Sequence, residues 1–598
     1  MSYQIDFEPV GRRVQVTEPV SILQAARDAG VGLAAVCGGA GTCGRCRVRV
    51  LHGRVSSPTA AELEVLAVDE LAAGFRLACQ TEVLGDLKVH VPPSSLTASQ
   101  RLQVEGRDLP VIPAPPVTAH AVRLSAPSRT DLRSDEARLH AALPAPDLDV
   151  DVAVLHQMPA ILREYDWTAT VGLRERGGVV SIHPPGTTLL GLAVDVGTTK
   201  IAGYLVELAG GRTLATAGVM NPQIAYGEDV MARISYAMES PEQAGELQRV
   251  VVQALNELAR DLCGRVKRAP EDIVEAVVVG NTAMHHLFLG LPVSQLGLAP
   301  YLPAVSDELD VKARDVGLEI APGGYVHLLP NIAGFVGADH VAMLLATGIH
   351  DADHVVIGLD IGTNTEVALR VGDRLFTCST ASGPAFEGAH IRDGMRATAG
   401  AIERVRVAGD RMEYQTIDGA PPVGLCGSGI LDAVAGLRQA GIIDGRGVMA
   451  SHPRVRRGQN GPEFVVVEAA ETGHGRDLVL TRRDVGEIQL AKGAMRAGVN
   501  ILLEEAALKE DDVDEVVIAG AFGTYIDVHS AVAIGMFPPL PEGCFHQVGN
   551  AAGMGARMAL ISTEQRALAA RIARHAEYVE LTNCPLFMEE FARAMVLP

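Results

Sequence analysis

The chain has 598 residues, a formal net charge of −21 at pH 7 and an apolar content of 48%, which together predict a globular chain of about four domains. The acidic excess argues against nucleic acid or an anionic membrane as the main partner, because either would need a basic face. The N-terminus lacks an apolar signal region, and no stretch approaches the roughly 18 apolar residues of a bilayer span. We therefore expect a cytoplasmic protein.

The first predicted domain comprises residues 1–91. Alternating apolar side chains on both sides of a turn near Pro9 predict a β-hairpin, and Ser21 is placed to cap a short helix that ends at Gly30. A further strand-like stretch begins at Arg47. A glycine-rich loop with three cysteines separates the helix from this strand.

The cysteines of this region follow the spacing Cys-x5-Cys-x2-Cys-x32-Cys. It resembles the spacing of [2Fe–2S] ferredoxins, in a variant with one residue more than the plant type in the first gap. Three thiolates around a small inorganic core need a tight loop, which glycines permit. A zinc site is the alternative, although zinc sites usually contain two short Cys-x2-Cys pairs. The ferredoxin resemblance implies that a [2Fe–2S] cluster is bound by Cys37, Cys43, Cys46 and Cys79.

Residues 92–117 contain six prolines and no sustained periodicity, which predicts a linker. Fully extended, it would span roughly 80 Å, so the first domain could swing. Residues 118–187 combine two helical patterns, which begin at Ser134 and Asp151, with a hairpin that turns at Gly177–Gly178. We predict a small α+β middle domain without catalytic residues, in which Trp167 and the histidines serve packing or lie at the surface.

A repeated pattern organises residues 188–598. An apolar strand ends at Asp195, turns at Gly197 and resumes, and a near copy runs through Asp360 and Gly362. Such a turn can direct backbone N–H groups and threonine hydroxyls at phosphate, and a strand-end Asp can hold Mg²⁺ directly or through its waters. A single Asp-x-Gly-Thr is also typical of an ordinary turn, but its duplication favours nucleotide binding.

This repeat resembles the superfamily of acetate and sugar kinases, heat-shock chaperones and actin, whose two related lobes clamp ATP between two such hairpins. The resemblance implies lobes at roughly 188–350 and 351–598. The expected fold class is therefore α/β multidomain: a β-grasp ferredoxin-like domain, the α+β middle domain and a two-lobed actin-like ATPase with a duplicated βαβ core.

The superfamily resemblance also implies a set of nucleotide contacts. Asp195 and Asp360 would be the Mg²⁺-associated carboxylates, and a turn at 520–523 would face the adenosine. A second contact is expected at a helix N-terminus, for which simple helix capping is the alternative. The expected contacts are Gly197, Thr198, Thr199, Lys200, Gly362, Thr363, Asn364, Gly427, Ser428, Gly520, Ala521, Phe522 and Gly523. For Lys200, solvation on an exposed strand is equally expected.

Several other polar residues are candidates for chemistry. Glu387, Asp229 and Glu366 could each orient the attacking water, since phosphoryl transfer to water needs positioning more than covalent chemistry. We expect Glu387 to be catalytic, although the sequence does not choose among the three. The pair His285–His286 more often packs or caps than binds a metal. The remaining cysteines lack ligand spacing.

Four glycine-containing stretches, at 221–230, 280–286, 330–339 and 383–388, resemble the reductive activators of corrinoid proteins. That family joins a [2Fe–2S] domain, a linker, a middle domain and this ATPase in the same order. The resemblance implies that ATP hydrolysis accompanies one-electron reduction of Co(II) corrinoid to the Co(I) state that accepts methyl groups. The implied partners are a corrinoid protein of a methyltransferase system and an external low-potential electron donor. A homodimer is one candidate arrangement, although the sequence does not determine the oligomeric state.

Three other functions are compatible with parts of the pattern. A redox-regulated sugar or acid kinase would need a polar sugar pocket and a general base just after the second hairpin, and neither is assignable. An activator of radical dehydratases would hold a [4Fe–4S] cluster with cysteines inside the ATPase fold. An actin-like or chaperone-like protein would use ATP only as a conformational switch and would not need a ferredoxin-type domain.

Overall fold

The computed structural model describes residues 2–598 except 9–10, 17–19, 30, 32, 34–40, 42–43, 45, 93–94, 96–109, 145–147, 228, 389, 409–410, 459–460 and 521. Cys37, Cys43, Ala521, the predicted helix end at Gly30 and most of the predicted linker therefore lie outside the described residues. None of the helices in the described ranges is long and apolar enough to cross a membrane.

The N-terminal module is a mixed sheet that packs on a helix. Its strands lie in the order β2-β1-β5-β3-β4, with β1 antiparallel to β2 and parallel to β5. The predicted hairpin and the Ser21 cap are confirmed, since the Ser21 hydroxyl accepts a hydrogen bond from the Gln24 N–H. Its elements are β1 (Tyr3–Glu8), β2 (Arg12–Val16), α1 (Ile22–Asp28), β3 (Arg47–Val55), α2 (Ala60–Val65), α3 (Val68–Ala72), β4 (Phe75–Leu77) and β5 (Val83–His90).

The middle module packs two helices on an antiparallel sheet of order β6-β7-β8. The side chains of Ser134 and Asp151 cap its helices, and β7 and β8 form the predicted hairpin. Trp167 packs against the module's apolar core. The elements are β6 (Val117–Arg123), α4 (Asp135–Ala142), α5 (Val152–Glu164), β7 (Thr168–Arg174) and β8 (Gly178–His183).

The first ATPase lobe is built on a sheet of order β11-β10-β9-β12-β14-β13. The strands β9 and β10 form the first predicted phosphate hairpin. The elements are β9 (Leu190–Val196), β10 (Lys200–Glu207), β11 (Thr213–Met220), α6 (Val230–Glu239), α7 (Pro241–Arg265), β12 (Ile273–Gly280), α8 (Thr282–Leu289), β13 (Leu309–Lys312), β14 (Tyr325–Leu328) and α9 (Ala338–Thr347).

The second lobe is built on a sheet of order β25-β24-β15-β16-β17-β26, with smaller sheets of order β19-β18-β20 and β21-β22-β23. The strands β15 and β16 form the second predicted phosphate hairpin. The elements are β15 (Val356–Ile361), β16 (Thr365–Val371), β17 (Arg374–Thr380), β18 (Ala401–Ala408), β19 (Arg411–Thr416), β20 (Gly424–Leu425), α10 (Gly427–Gln439), β21 (Val455–Gly458), β22 (Gly461–Val467), β23 (Leu478–Thr481), α11 (Arg482–Glu505), β24 (Glu515–Ala519), α12 (Val528–Ala533), β25 (Phe545–Gly549), α13 (Ala551–Ile561), α14 (Thr563–His575), β26 (Glu577–Tyr578) and α15 (Phe587–Ala594).

The two lobes are copies of one topology. The order β11-β10-β9-β12-β14 of the first lobe corresponds strand for strand to β17-β16-β15-β24-β25 of the second. Neighbouring strands are antiparallel within β11-β10-β9 and within β17-β16-β15. The strands β12 and β14 run parallel to β9, and β24 and β25 run parallel to β15. The repeat predicted from two short motifs therefore extends over both sheets.

The lobes meet where α9 crosses α13. A Cβ placed on Gly555 would lie 2.0 Å from the Ala342 carbonyl oxygen, so the close approach of the helices requires glycine at this position. An apolar core continuous with both large sheets surrounds the crossing. The first turn of α9 and the N-terminal cap of α13 both reach the cleft between the lobes, where they bring Asp339 and Asn550 to one cavity.

Candidate functional site

The two phosphate hairpins face one another across a cavity of about 200 Å³ between the lobes. The Oγ1 atoms of Thr199 and Thr363, one from each hairpin tip, are 3.4 Å apart. The cavity is lined by these sequence-predicted residues: Asp195, Gly197, Thr198, Thr199, Lys200, Asp360, Gly362, Thr363, Asn364, Glu366, Glu387, Gly427, Ser428, Gly520 and Phe522. Their binding roles stay predictions, but the fold brings together residues that are far apart in the sequence.

Two candidates lie elsewhere. Asp229 is the N-cap of α6, where its Oδ1 accepts a hydrogen bond of 2.7 Å from the Ala232 N–H, and it does not line the cavity. Gly523 is buried outside the lining, and its carbonyl accepts a hydrogen bond from the Gln547 side chain. The capping of α6 therefore explains why an aspartate stands directly before this helix.

Carboxylates are concentrated on one side of the cavity. Burial and the nearby Asp339 carboxylate raise the pKa of Asp195 to about 7, although a hydrogen bond from Asn550 lowers it. Burial also raises the pKa of Asp339, to about 6. The pKa of Asp360 is raised well above its usual value by burial and by the charges of Asp339 and Asp195. Crowded acids of this kind favour a cation in the cleft.

Glu366 lies behind this group. Burial, followed by the charges of Asp339 and Asp360, raises its pKa well above the usual value, and its Oε1 accepts a hydrogen bond from the Ser379 hydroxyl at 3.2 Å. Only 6% of Glu366 is exposed. It extends the carboxylate cluster into the interior of the second lobe.

Two asparagines and one aspartate were missed at the sequence stage of reasoning. Asn550 donates to Asp195 Oδ2 at 3.0 Å, and Asn281 donates to Thr198 Oγ1 at 3.0 Å. Both asparagines cap helices that begin directly after strands, whereas Asp339 lies in the first turn of α9, whose N-cap is Gly337. For the two asparagines, the signal available in the sequence was an Asn that follows a strand and precedes a helix.

Glu387 joins the two hairpins. Its Oε1 accepts hydrogen bonds from Thr199 Oγ1 at 3.0 Å and from Thr363 Oγ1 at 2.8 Å. Lys200 also lines the cavity and does not lie on an exposed strand. Burial lowers the pKa of Lys200, the Glu387 carboxylate raises it and the guanidinium of Arg396 lowers it. Carboxylate, hydroxyl and ammonium groups thus surround one small volume, as the binding of a phosphate and a cation requires.

Two aromatic rings also line the cavity. The rings of Phe386 and Phe522 stack with centroids 5.0 Å apart and an interplanar angle of 20°. A Cβ on Gly427 would lie 1.8 Å from the Phe386 carbonyl oxygen and 2.6 Å from the Phe522 ring, so only glycine fits at the start of α10. An apolar wall beside a helix N-terminus suits a planar base carrying phosphates.

The cysteine site is described in part. Sγ of Cys46 lies 3.4 Å from Sγ of Cys79, much farther than a disulfide bond and close enough for both thiolates to bind one metal. A Cβ on Gly41 would lie 2.9 Å from the Ala61 and Gln80 side chains, and Gly41 has a φ of +80°. Position 41 therefore requires glycine, beside Gln80, which follows Cys79 in the chain. The pair fits the ligand set predicted for a cluster.

Four family models together match most of the chain. Residues 5–84 match the family described as the 2Fe-2S iron-sulfur cluster binding domain, 106–189 the RACo linker region, 190–352 the RACo middle region and 354–598 the C-terminal domain of RACo, the ASKHA domain. The chain is 34% identical over 606 residues to the corrinoid activation enzyme RamQ of Eubacterium limosum, covering 98% of this chain and 97% of the relative. It belongs to this family of corrinoid activators.

Two further relatives carry similar descriptions. The [Co(II) methylated amine-specific corrinoid protein] reductase of Methanosarcina barkeri is 26% identical over 381 residues, covering 58% of this chain and 66% of that protein. The solved structure of a reductive activator for corrinoid,iron-sulfur protein matches with a TM-score of 0.74 and 38% identity, covering 100% of this chain and 98% of that chain. The predicted fold class and family are thereby confirmed.

The two adjacent histidines, His285 and His286, pack in the interior of the first lobe. His286 Nδ1 lies 2.7 Å from the Thr282 carbonyl oxygen, and its Nε2 accepts a hydrogen bond from the Ala304 N–H at 2.9 Å. Burial followed by the neighbouring His286 charge lowers the pKa of His285 to about 3. Both rings are buried in α8, in agreement with the packing role predicted for the pair.

Proposed function

We propose that this chain reduces the Co(II) corrinoid of a separate protein to Co(I), coupled to ATP hydrolysis, with a [2Fe–2S] cluster on Cys37, Cys43, Cys46 and Cys79 supplying the electron. Asp195 and Asp360 are the Mg²⁺-associated carboxylates of the proposal. The cleft residues bind and position ATP, and the N-terminal module brings the electron.

The observation that carries the proposal is the crowding of carboxylates against phosphate-binding hairpins in the same chain as a ferredoxin-type module. Burial and the Asp339 carboxylate raise the pKa values of both Asp195 and Asp360, and the Asp195 carboxylate further raises that of Asp360. A divalent cation with its nucleotide relieves that repulsion. The ferredoxin-type module is not explained by ATP binding alone.

The manner in which Mg²⁺ would bind follows from the donor set. Among the described residues no group of three or more His, Cys, Asp or Glu side chains is arranged as a metal site. Mg²⁺ in nucleotide enzymes usually keeps several waters and takes one or two carboxylates together with substrate phosphates. The strand-end carboxylates Asp195 and Asp360 fit that mode of binding, in which the nucleotide completes the site.

The need for ATP follows from the redox chemistry. For one electron, each 59 mV of unfavourable potential difference lowers the equilibrium constant tenfold, so a gap of a few hundred millivolts makes uncoupled reduction negligible. We propose that closure of the two lobes on the nucleotide alters the axial coordination of the docked corrinoid and raises its potential. Cobalt spectra of the complex that are identical with and without nucleotide would exclude this route.

The cluster is tested by composition. Iron and acid-labile sulfide analysis of the full-length protein should give two of each per chain, with an absorbance that bleaches on one-electron reduction. Stoichiometric zinc without sulfide would contradict the redox assignment and most of the mechanism.

The activity is tested by reconstitution. The full-length protein, a low-potential reductant, Mg-ATP and a Co(II) corrinoid protein should together produce the Co(I) absorption band, and omission of ATP should abolish it. Phosphorylation of a small molecule with all cobalt left as Co(II) would favour the kinase instead. Reduction at the same rate without nucleotide would contradict the coupling.

Three further parts of the proposal concern organisation. We propose modules at 1–91, 118–187 and 188–598 with a linker at 92–117, an external low-potential electron donor, and a cytoplasmic setting. A homodimer is the arrangement to test first, by light scattering of the full-length chain with and without Mg-ATP. The natural donor can be sought by its ability to reduce the cluster at a catalytic rate.

A further inference from the structure

A single arginine lies between the N-terminal module and the nucleotide cleft. Arg396 lines the cavity, and only 10% of its side chain is exposed. Its Nη1 lies 3.6 Å from Glu8 Oε2 of the N-terminal module, and its Nε lies 3.9 Å from Glu387 Oε2. Both N···O distances are longer than those of a hydrogen-bonded ion pair. Among the described residues, neither Nε nor Nη1 of Arg396 has a hydrogen-bond partner.

The segment that carries Arg396 is the place where the N-terminal module docks. The side chain of Arg12, from β2, donates to the Gly394 carbonyl at 3.0 Å and to the Val423 carbonyl at 2.6 Å, both in the second lobe. A Cβ on Gly11 would lie 3.8 Å from the Arg396 guanidinium. Arg396 is therefore covered by the module on one side and open to the cleft on the other.

On the cleft side, Glu387 occupies the position that a phosphate needs. Its Oε1 accepts hydrogen bonds from the hydroxyls of both hairpin tips, Thr199 and Thr363. Hydroxyls that donate to a phosphate cannot donate to this carboxylate at the same time, and two anions cannot share the position. A phosphate at the hairpin tips would thus displace Glu387 and lie beside Arg396.

We propose that Arg396 binds the terminal phosphate of ATP with these donors, and that this contact replaces its ion pair with Glu8 of the N-terminal module. Arginine presents a rigid fork of donors that suits phosphate, and a charged hydrogen bond of normal length is stronger than an ion pair separated by more than 3.5 Å. Nucleotide and module then compete for one side chain. ATP weakens the docking of the cluster-bearing module, and hydrolysis with phosphate release restores it.

This inference rests on the proposed nucleotide site but not on corrinoid reduction. Calorimetry of the full-length parent with ATP and with ADP is measured first, because binding of both shows that the site exists. A parent that binds neither nucleotide overturns the site and the inference together. If the parent binds both, the variants below test the inference alone.

The contact with phosphate is tested by Arg396→Ala. Loss of charged hydrogen bonds to the terminal phosphate should weaken ATP binding by roughly ten- to hundredfold and leave ADP binding within about threefold of the parent. Arg392→Ala is the matched control, since Arg392 lies on the same segment, pairs with Glu463 and does not line the cavity. Equal losses for ATP and ADP, or no loss, would overturn the assignment to the terminal phosphate.

The competition is tested by Glu8→Gln, which keeps the shape of the side chain and removes its charge. ATP binding should become tighter, by about two- to tenfold, because the competing carboxylate no longer holds Arg396. ADP binding should not change. Asp6→Asn is the control, since Asp6 lies on the same strand and pairs with Arg13 inside the module. Unchanged or weaker ATP binding by Glu8→Gln would contradict the competition.

Hydrogen exchange reports the docking itself. In the parent, ATP should increase exchange in the segment around β2, Arg12–Val16, where the module contacts the second lobe, and ADP should not. In Arg396→Ala, exchange in this segment should be insensitive to ATP even at saturating concentration. Protection of this segment by ATP in the parent would reverse the sign of the proposed coupling and overturn the proposal.

Discussion

Buried carboxylates occur in two contrasting environments in this chain. In the N-terminal module, Glu62 is fully buried and accepts hydrogen bonds from Arg76 Nε and Nη2, both at 2.9 Å, and from the Leu77 N–H at 3.0 Å. In the cleft, Asp195, Asp339 and Asp360 line one cavity, and burial followed by the Asp339 charge raises the pKa values of Asp195 and Asp360. The fold supplies Glu62 with a cation, Arg76. Among the described residues, the three cleft carboxylates have no comparable ion pair.

The difference separates structure from function. Burial by itself would raise the pKa of Glu62, but hydrogen bonds from Arg76, Thr81 and two backbone N–H groups lower it to about 2. Glu275 is similar, since Arg174 and Arg566 bind it where the middle module meets the first lobe. A carboxylate whose cation is supplied by the fold contributes to stability, whereas crowded carboxylates without one favour binding of a cation from solution.

The largest effect should come from the cleft. Asp195→Ala and Asp360→Ala each remove a carboxylate that we propose to be Mg²⁺-associated, so ATP hydrolysis should fall about a thousandfold, or roughly 4 kcal/mol in activation free energy. The isosteric Asp360→Asn should lose activity similarly, while its unfolding midpoint without nucleotide equals or exceeds that of the parent, because it relieves charge repulsion. Turnover and thermal unfolding measure the two quantities.

The matched control for the cleft variants is Asp229→Asn, which keeps a helix-capping side chain on α6 outside the cavity. It should hydrolyse ATP at nearly the parental rate. Parental turnover by Asp195→Ala and Asp360→Ala would show that the two hairpins are ordinary turns.

Glu62→Gln should lower the stability of the N-terminal module rather than ATP hydrolysis. It leaves the Arg76 guanidinium buried without its anion, so the N-terminal module should lose about 3 kcal/mol of unfolding free energy. The stabilisation from Glu62 is present above its unfolded pKa of about 4.3 and is lost as the pH falls towards 2, because its folded pKa is lowered. Unfolding of the cluster-bearing module, followed by cluster absorbance at pH 7, measures the loss.

ATP binding by Glu62→Gln should remain parental where the module stays folded, which distinguishes it from the cleft variants. A Glu62→Gln protein as stable as the parent would contradict the contrast between the paired carboxylate of this module and the crowded carboxylates of the cleft.

A smaller effect is expected at the residue that orients a cleft carboxylate. Asn550→Ala removes the hydrogen bond to Asp195 Oδ2, so Mg-ATP affinity should fall about tenfold. Asn256→Ala is the control, since Asn256 is also buried and hydrogen-bonded, to the Gly317 carbonyl, but does not line the cavity. An equal loss of affinity in both variants would indicate a general effect of lowered stability, and titration calorimetry distinguishes the cases.

The smallest effect concerns a cysteine outside the predicted cluster. Cys426→Ser should leave iron content and cluster absorbance unchanged, because Cys426 Sγ lies in the cleft wall, 3.3 Å from the Ile402 carbonyl oxygen that a serine hydroxyl can also reach. Cys79→Ser, by contrast, should lower the iron content. Loss of iron in Cys426→Ser would mean that the ligand set is wrong.

The sequence was informative where chemistry is tied to short motifs. The two Asp-x-Gly-Thr turns, the caps at Ser21, Ser134 and Asp151, and the order of the modules were all predictable because each depends on local patterns. The two large sheets share one strand order, in agreement with the predicted repeat. Family resemblance added the lobe boundaries and the expected nucleotide contacts.

The rest depends on long-range packing. Asp339 enters the cleft only because α9 crosses α13, and Asn550 reaches Asp195 across 355 positions of sequence. Asp229 has the same local appearance as a catalytic acid but caps a helix. Arg396 has no distinguishing motif, and its position between two modules follows from docking of the N-terminal domain. No local pattern encodes these relations.

The most direct test of the account measures Co(I) formation by the full-length parent and by Asp360→Asn with the same reductant, Mg-ATP and corrinoid protein. The account predicts that both clusters accept an electron equally and that only the parent produces the Co(I) absorption band. Formation of Co(I) by Asp360→Asn at the parental rate would contradict it, because reduction would then proceed without the carboxylates that the cleft brings together.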